Sequence, residues 1–231
     1  MAKQNKLINN NRILITSVNP KSPISEQYRT IRTNIEFMMV DRSYKTLLVT
    51  SAEAEAGKST LISNLAVVFA QQGKRVLLID ADLRKPTTHI TFRVDNRVGL
   101  TNVLTRQVSL YKSFQGTRLS ENLAILTSGP IPPNPSELLG SKAMEEIIKD
   151  VAKNFDIVLV DAPPVNSVTD AQILSRIVDA TVIVAHANQT KKEQLVRAKK
   201  LMEQVQANLL GCVLTDYDAQ DSSYYYYYGA E

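Results

Sequence analysis

The sequence predicts an α/β domain in which a mostly parallel β-sheet is covered by helices on both faces. Apolar runs of buried-strand length recur at residues 46–50, 76–79, 157–160 and 181–185, with weaker versions at 123–126 and 210–214. Stretches with helical spacing lie between them, at 58–72, 136–152, 170–178 and 191–205. A parallel sheet buries both faces of its strands, so they read as continuous apolar runs, and each connection needs a crossover helix. With 231 residues, 44% of them hydrophobic, the chain suffices for one such domain and is short for two, so residues 1–231 are read as a single unit.

Residues 1–20 are a polar, Asn/Lys-rich lead-in that matches neither a signal peptide nor a transit peptide. At its end, residues 13–18 alternate apolar and polar in the manner of an edge strand. Ser22-Pro23 opens a helix, proline being tolerated in a first turn, and Tyr28, Ile31, Ile35 and Met38 carry it to about Val40. Asn134-Pro135 marks the start of the helix over 136–152. The single cysteine, Cys212, sits in an apolar run and reads as a buried small hydrophobe; alone it permits no intrachain disulfide. His89 and His186 are far apart in sequence and read as ordinary residues rather than metal ligands. No stretch reaches the ~18 consecutive apolar residues of a membrane span, which predicts a cytoplasmic protein. The net charge of +4 is uneven: residues 1–50 hold eight Lys/Arg against three Asp/Glu, a surplus of +5 that leaves −1 for the remainder. A basic leading segment suits an anionic membrane surface or an acidic partner. Without aromatic interleaving or a helix-turn-helix pattern, nucleic acid is not indicated.

The chemistry concentrates at the ends of the apolar runs. Ala52-x-x-x-x-Gly57-Lys58-Ser59, followed by Thr60, comes directly after the run 46–50 and opens a helix, the context that a phosphate-binding P-loop requires. In such a loop the backbone N–H groups around Ala56, Gly57 and Thr60 cradle phosphates on a helix N-terminus, Lys58 reaches the β- and γ-phosphate oxygens, and Ser59 gives its hydroxyl to Mg²⁺. Asp80 and Asp82 follow the run 76–79 at i and i+2, so both point toward the carboxyl edge of the sheet, where ligands bind in open α/β folds. Asp161 ends the run 157–160 as an acid at a buried strand end, the form of a Walker B site for a metal held directly or through water.

P-loop, then Asp80-Ala81-Asp82-Leu83-Arg84-Lys85-Pro86, then Asp161-Ala162-Pro163-Pro164 resembles the bacterial tyrosine kinases of capsule and exopolysaccharide synthesis. The resemblance extends to Glu26-x-x-Arg29-x-x-Arg32, to Ser128-Gly129-Pro130, to Pro133-Asn134-Pro135-Ser136-Glu137-Leu138-Leu139, and to the tyrosine-rich end. It implies an ATP- and Mg²⁺-dependent kinase in which Ser59 and Asp82 bind the metal, Asp161 supports it, and Asp80 takes the proton of the attacking tyrosine. Family P-loops usually carry a further glycine before Gly57, where this chain has Glu53-Ala54-Glu55-Ala56. Losing it restricts φ > 0 conformations and sets carboxylates beside a phosphate site, unless they point outward. Thr215 stands where related ATPases often place an asparagine that reads the base, which loosens the preference for ATP over GTP.

Residues 217–231 are read as a flexible tail bearing the acceptors Tyr224, Tyr225, Tyr226, Tyr227 and Tyr228. Its tether is short, which favours transfer between subunits. The resemblance further implies a ring-shaped homo-oligomer contacting through Glu26, Arg29 and Arg32, an opposing tyrosine phosphatase, and a separate membrane-anchored activator that recruits the chain to the inner face of the membrane. On charge and spacing alone, Glu26 with Arg29 and Arg32 is equally an ion-paired surface helix. Two other readings share these motifs: a P-loop ATPase of the partitioning and positioning class, and a catalytically weak signalling adaptor. Incubation with ATP and Mg²⁺ separates them as self-phosphorylation, phosphate release alone, or neither.

Overall fold

Residues 13–40 and 43–217 are described by the structure, a computed structural model. The chain begins with a single helical turn, α1 (Ile15–Val18), and a long helix, α2 (Pro23–Val40). β1 (Thr46–Ser51), α3 (Lys58–Gln71), β2 (Val76–Asp80), α4 (Thr88–Phe92) and α5 (Leu100–Leu104) follow. A 3-10 turn at Leu110–Ser113 precedes the short β3 (Gln115–Gly116) and β4 (Leu123–Leu126). The second half comprises α6 (Pro135–Leu139), α7 (Lys142–Asn154), β5 (Ile157–Asp161), α8 (Asp170–Ser175), β6 (Ala180–His186), α9 (Lys192–Gln204) and β7 (Leu209–Thr215).

The strands form one sheet in the order β3-β4-β2-β5-β1-β6-β7, with every pair parallel except β3 with β4. The expected parallel α/β architecture is thus the one observed. The central strands are buried at every position, as continuous apolar runs demand. Separate apolar clusters cover the two faces, one built around α3 with Ile35 and Met39 of α2, the other around α7, α8 and Met202 of α9. α3 is buried nearly all round, because the sheet covers one side while α1 and α2 cover the other.

Four expectations need correction. Residues 13–18 form α1 rather than an edge strand. Thr16 directs its N–H (3.1 Å) and its hydroxyl (2.9 Å) to Asn64 Oδ1 on α3, so the segment is tied to a helix, and β3 and β7 occupy the sheet edges. So short an alternation records only that Leu14 and Thr16 face inward, which one helical turn achieves as well as a strand. Residues 136–152 are two helices, because Ser141 adopts extended backbone after Gly140 and its hydroxyl accepts the Met144 N–H (3.3 Å) as a fresh N-cap. On α2 it is Met39, at 5% exposure, that joins Ile35 in the core, whereas Met38 is 51% exposed. Cys212 is exposed, because β7 is an edge strand with one flank uncovered.

One carboxylate fixes the lower end of β1. Asp179 Oδ2 accepts the Lys45 and Thr46 N–H groups and the Thr46 hydroxyl, each at 2.8 Å, while the Asp179 N–H donates to Thr46 Oγ1 at 2.7 Å. Asp179→Ala strands these donors. It is expected to lower the unfolding free energy by about 2 kcal/mol, from the cost of unsatisfied, partly buried groups, as read by urea denaturation.

Candidate active site

Parallel pairing builds the site. In the register of β2 with β5, Asp80 lies opposite Asp161, so the sheet sets two carboxylates side by side at its carboxyl edge. Both are fully buried, and Asp82 just beyond is 5% exposed. β1 runs on the other side of β5 and delivers the P-loop to the same edge. Lys58, the first residue of α3, extends its ammonium to Asp161 Oδ1 (3.0 Å), Asp82 Oδ2 (3.1 Å) and Ser59 Oγ (3.2 Å). Burial alone lowers the Lys58 pKa, but Asp161 and Asp82 outweigh it and hold the group above its ordinary value.

The carboxylates are held unequally. Asp80 Oδ2 accepts the N–H groups of Thr87 (3.0 Å) and Thr88 (2.9 Å), and Asp82 Oδ1 accepts the Lys85 N–H (3.0 Å). The turn 82–88 therefore wraps back onto the acids that begin it. Asp80 Oδ1 and Asp161 Oδ2 are buried without a hydrogen-bond partner. Burial, and then the neighbouring Asp161 charge, push the Asp80 carboxyl up to about 7.

The P-loop reaches this edge through two left-handed residues. Gly57 has φ 82 and precedes α3, and the Leu61 N–H closes on its carbonyl at 2.9 Å. Thr215, at the end of β7, packs against Gly57 so closely that a Cβ there would lie 3.2 Å from its methyl group, and its hydroxyl donates to the Ala56 carbonyl at 2.9 Å. Thr215 thus braces the P-loop backbone. Glu55 holds φ 62 without being glycine, and its side chain is exposed; Glu53 is partly exposed. Ala56 is buried, and Ser59 and Thr60 occupy the first turn of α3.

An oxygen-only set of Ser59, Asp82 and Asp161 suits a hard cation such as Mg²⁺. The unpartnered Asp161 Oδ2, together with an ammonium drawn in between the acids, marks a place that calls for positive charge. Among the described residues no cluster of His, Cys, Asp and Glu makes a complete metal cage. That fits Mg²⁺, which takes few protein ligands and fills its shell with phosphate and water oxygens. The residues present fit the ion.

Known proteins resemble this chain in sequence and in fold. A family model described as an AAA domain matches residues 44–214. Tyrosine-protein kinase YwqD of Bacillus subtilis is 50% identical over 220 residues, 95% of this chain and 92% of that protein. The chain belongs to the bacterial tyrosine-protein kinase family. The Staphylococcus aureus putative tyrosine-protein kinase CapB is 43% identical, with 92% of this chain and 93% of that one aligned. Among solved structures, the kinase domain of Escherichia coli tyrosine kinase ETK superimposes with a TM-score of 0.87 at 31% identity, covering 99% of this chain and 89% of that one. The septum site-determining protein MinD from Pyrococcus horikoshii, complexed with Mg-ADP, reaches a TM-score of 0.65 at 21% identity over 77% of this chain and 72% of that one, which shows a shared fold.

In this kinase, Lys58, Ser59, Asp80, Asp82 and Asp161 converge as the sequence suggests. Other expected residues lie elsewhere. On α2, Glu26 pairs with Arg29 on the exposed surface, whereas Arg32 turns inward, donating to the Val68 carbonyl (3.2 Å) and approaching Glu36 (3.6 Å). Tyr224 through Tyr228 lie outside the described residues, as do residues 1–12 of the lead-in. Sequence reasoning missed Ser136 and Asp170, which meet Arg84 beside the acids. Ser136 and Arg84 stand within quoted motifs, but nothing in the spacing links them to Asp170, 86 residues beyond Arg84.

Between about pH 4 and pH 7 the folded chain keeps an Asp80 proton that the unfolded chain releases. Its stabilisation is therefore full below the unfolded pKa of about 4 and is lost as pH rises through about 7. Asp80→Asn cannot ionise and is expected to flatten that decline, measured by urea unfolding across the range in metal-free buffer. Glu55→Gly removes the side-chain penalty of a left-handed residue and is expected to raise stability by up to about 1 kcal/mol, visible as a higher melting temperature.

Proposed function

We propose that this chain is an ATP- and Mg²⁺-dependent tyrosine autokinase that phosphorylates the tyrosines at 224–228 of a neighbouring copy and thereby regulates exopolysaccharide or capsule synthesis. The observation that carries this reading is the convergence of Asp80, Asp82, Asp161 and Lys58 at one sheet edge beside the P-loop. In the reaction a bond forms between the tyrosine oxygen and the γ-phosphorus as the bond to the β-phosphate bridging oxygen breaks, and ADP departs. Mg²⁺, when bound, neutralises the phosphate oxygens.

The chain's own residues supply the rest. The P-loop N–H groups and Lys58 hold the phosphates, so Lys58 exchanges its carboxylate partners for phosphate oxygens. Ser59 and Asp82 hold the ion, with Asp161 behind them. Asp80 receives the tyrosine proton on Oδ1, the oxygen left without a partner while Thr87 and Thr88 fix the other. A free tyrosine hydroxyl, with a pKa near ~10, needs such an acceptor.

The tail, residues 217–231, carries Asp218, Asp221 and Glu231 and no Lys or Arg. Phosphorylation at about −1.5 to −2 per tyrosine makes it strongly anionic. Repulsion from the acidic sites then releases copies from one another, and a phosphatase resets the cycle. Contact between copies in a ring involves Glu26, Arg29 and Arg32 of α2; the exposed Ile24, Phe37 and Met38 on the same helix supply apolar area for it. A separate membrane-anchored activator recruits the kinase to the cytoplasmic membrane face. Among the described residues no helix is long and apolar enough to cross a membrane.

The test is phosphotyrosine mapping by mass spectrometry after incubation with ATP and Mg²⁺, with and without an activator tail. Lys58→Met is expected to lose at least about a hundredfold in labelling, and a 224–228 Tyr→Phe variant is expected to lose the tail label altogether. Mixed together, the two variants should restore label on the Lys58→Met chain. ATP hydrolysis without any phosphotyrosine would return the chain to the partitioning-type ATPases, whose fold it shares.

A further inference from the structure

The carboxyl edge of the sheet sends out successive loops after β2, β4 and β5, and one guanidinium ties them together. Arg84 leaves the turn after β2 and donates from Nε to Asp170 Oδ2 (2.8 Å) and from a terminal nitrogen to Asp170 Oδ1 (3.1 Å) and Ser136 Oγ (2.8 Å). The Ser136 hydroxyl in turn donates to Asp170 Oδ1 at 2.7 Å. Ser136 lies in the first turn of α6, on the connection after β4, and Asp170 opens α8, on the connection after β5. The Asp170 side chain is 0% exposed and that of Arg84 is 38% exposed, so a buried charge relies on one arginine for neutralisation. A bidentate Arg–carboxylate pair fixes direction as well as distance, which a lysine cannot reproduce.

The position of this pair gives it a role. Arg84 is two residues beyond Asp82, and the Asp82 carboxylate accepts the N–H of Lys85, on the other side of Arg84. Displacing Arg84 therefore moves both the backbone that carries Asp82 and the N–H that orients its oxygen. Asp80 is less exposed to such a shift, because it ends β2 and is held by Thr87 and Thr88. We propose that Arg84, Asp170 and Ser136 act as positioning residues that set the Asp82 carboxylate for the cation accompanying the nucleotide. This rests on the phosphoryl-transfer reading above and extends it to residues that touch neither nucleotide nor acceptor. The clamp makes cation affinity depend on the loops after β4 and β5, although neither loop supplies the Asp82 oxygen.

The experiment measures the affinity of the full chain for a fluorescent ADP analogue, once with Mg²⁺ and once with EDTA. The quantity of interest is the factor by which Mg²⁺ tightens binding. In Asp170→Asn and in Arg84→Lys this factor is expected to fall about threefold to tenfold, while affinity in EDTA stays within about twofold of wild type. Because the residues act as a unit, the double variant should lose no more than the worse single one. A purely structural role predicts a lower melting temperature and weaker binding in both buffers alike. That pattern, an unchanged factor, or multiplied losses in the double variant would overturn the proposal. If circular dichroism shows Asp170→Asn unfolded, Arg84→Lys, which keeps a cation beside Asp170, decides alone. Wild type lacking any Mg²⁺ enhancement also overturns it, whereas enhancement without tyrosine labelling removes only the kinase reading and leaves the clamp standing.

Discussion

A parallel sheet places the ends of neighbouring strands together, and here the ends of β2 and β5 are both aspartates in register. Two buried carboxylates side by side, with Asp82 next to them, are tolerable when one keeps its proton, as Asp80 does up to about pH 7, or when positive charge is supplied locally. Lys58 supplies it, drawn out of the P-loop into contact with Asp82 and Asp161. The same repulsion that burdens the fold gives the site its use. A region that demands cationic charge suits a hard cation such as Mg²⁺, and in the proposed reaction Lys58 moves to phosphate as the ion takes its place.

The surroundings are arranged to keep these acids still. Thr87 and Thr88 fix one oxygen of Asp80, Lys85 fixes one of Asp82, and Arg84 anchors the turn between them to α6 and α8. Across the site Thr215 bonds to the P-loop at Ala56, so the last strand before the tail is mechanically joined to the nucleotide loop. Since phosphoryl transfer draws most of its rate from positioning and charge neutralisation, rigidity at these points matters more than any single reactive group.

Much of this was legible in the sequence because the relevant signals are local. An apolar run ending in aspartate announces both a buried strand and an acid at its carboxyl end, which located Asp80 and Asp161. Lys58 was readable because a P-loop joins a strand to a helix within a few residues. What escaped was set by distant pairing. Asp179 meets Thr46 across 133 residues and Asp170 meets Arg84 across 86, and neither has a sequence feature that names its partner. Residues 13–18 were misread because so few positions cannot separate a strand's period from one inward-facing turn of helix. The break between α6 and α7 was hidden because Gly140-Ser141 interrupts an otherwise consistent apolar spacing, and Ser141 shows itself as a cap only through its bond to Met144. The contact of Thr215 with the P-loop escaped because it depends on how β7 ends, not on its neighbours in sequence.

Lys58 is expected to give up its place between the acids to the cationic charge that the nucleotide complex brings with it. The most direct test is a crystal structure of the chain with ADP and Mg²⁺. Lys58 Nζ is then expected beyond hydrogen-bonding distance of Asp161 and turned to the phosphates, with the ion on Ser59 and Asp82. Lys58 still lying between Asp82 and Asp161 at about the separation of a charge-assisted hydrogen bond, with nucleotide and ion both present, would contradict it.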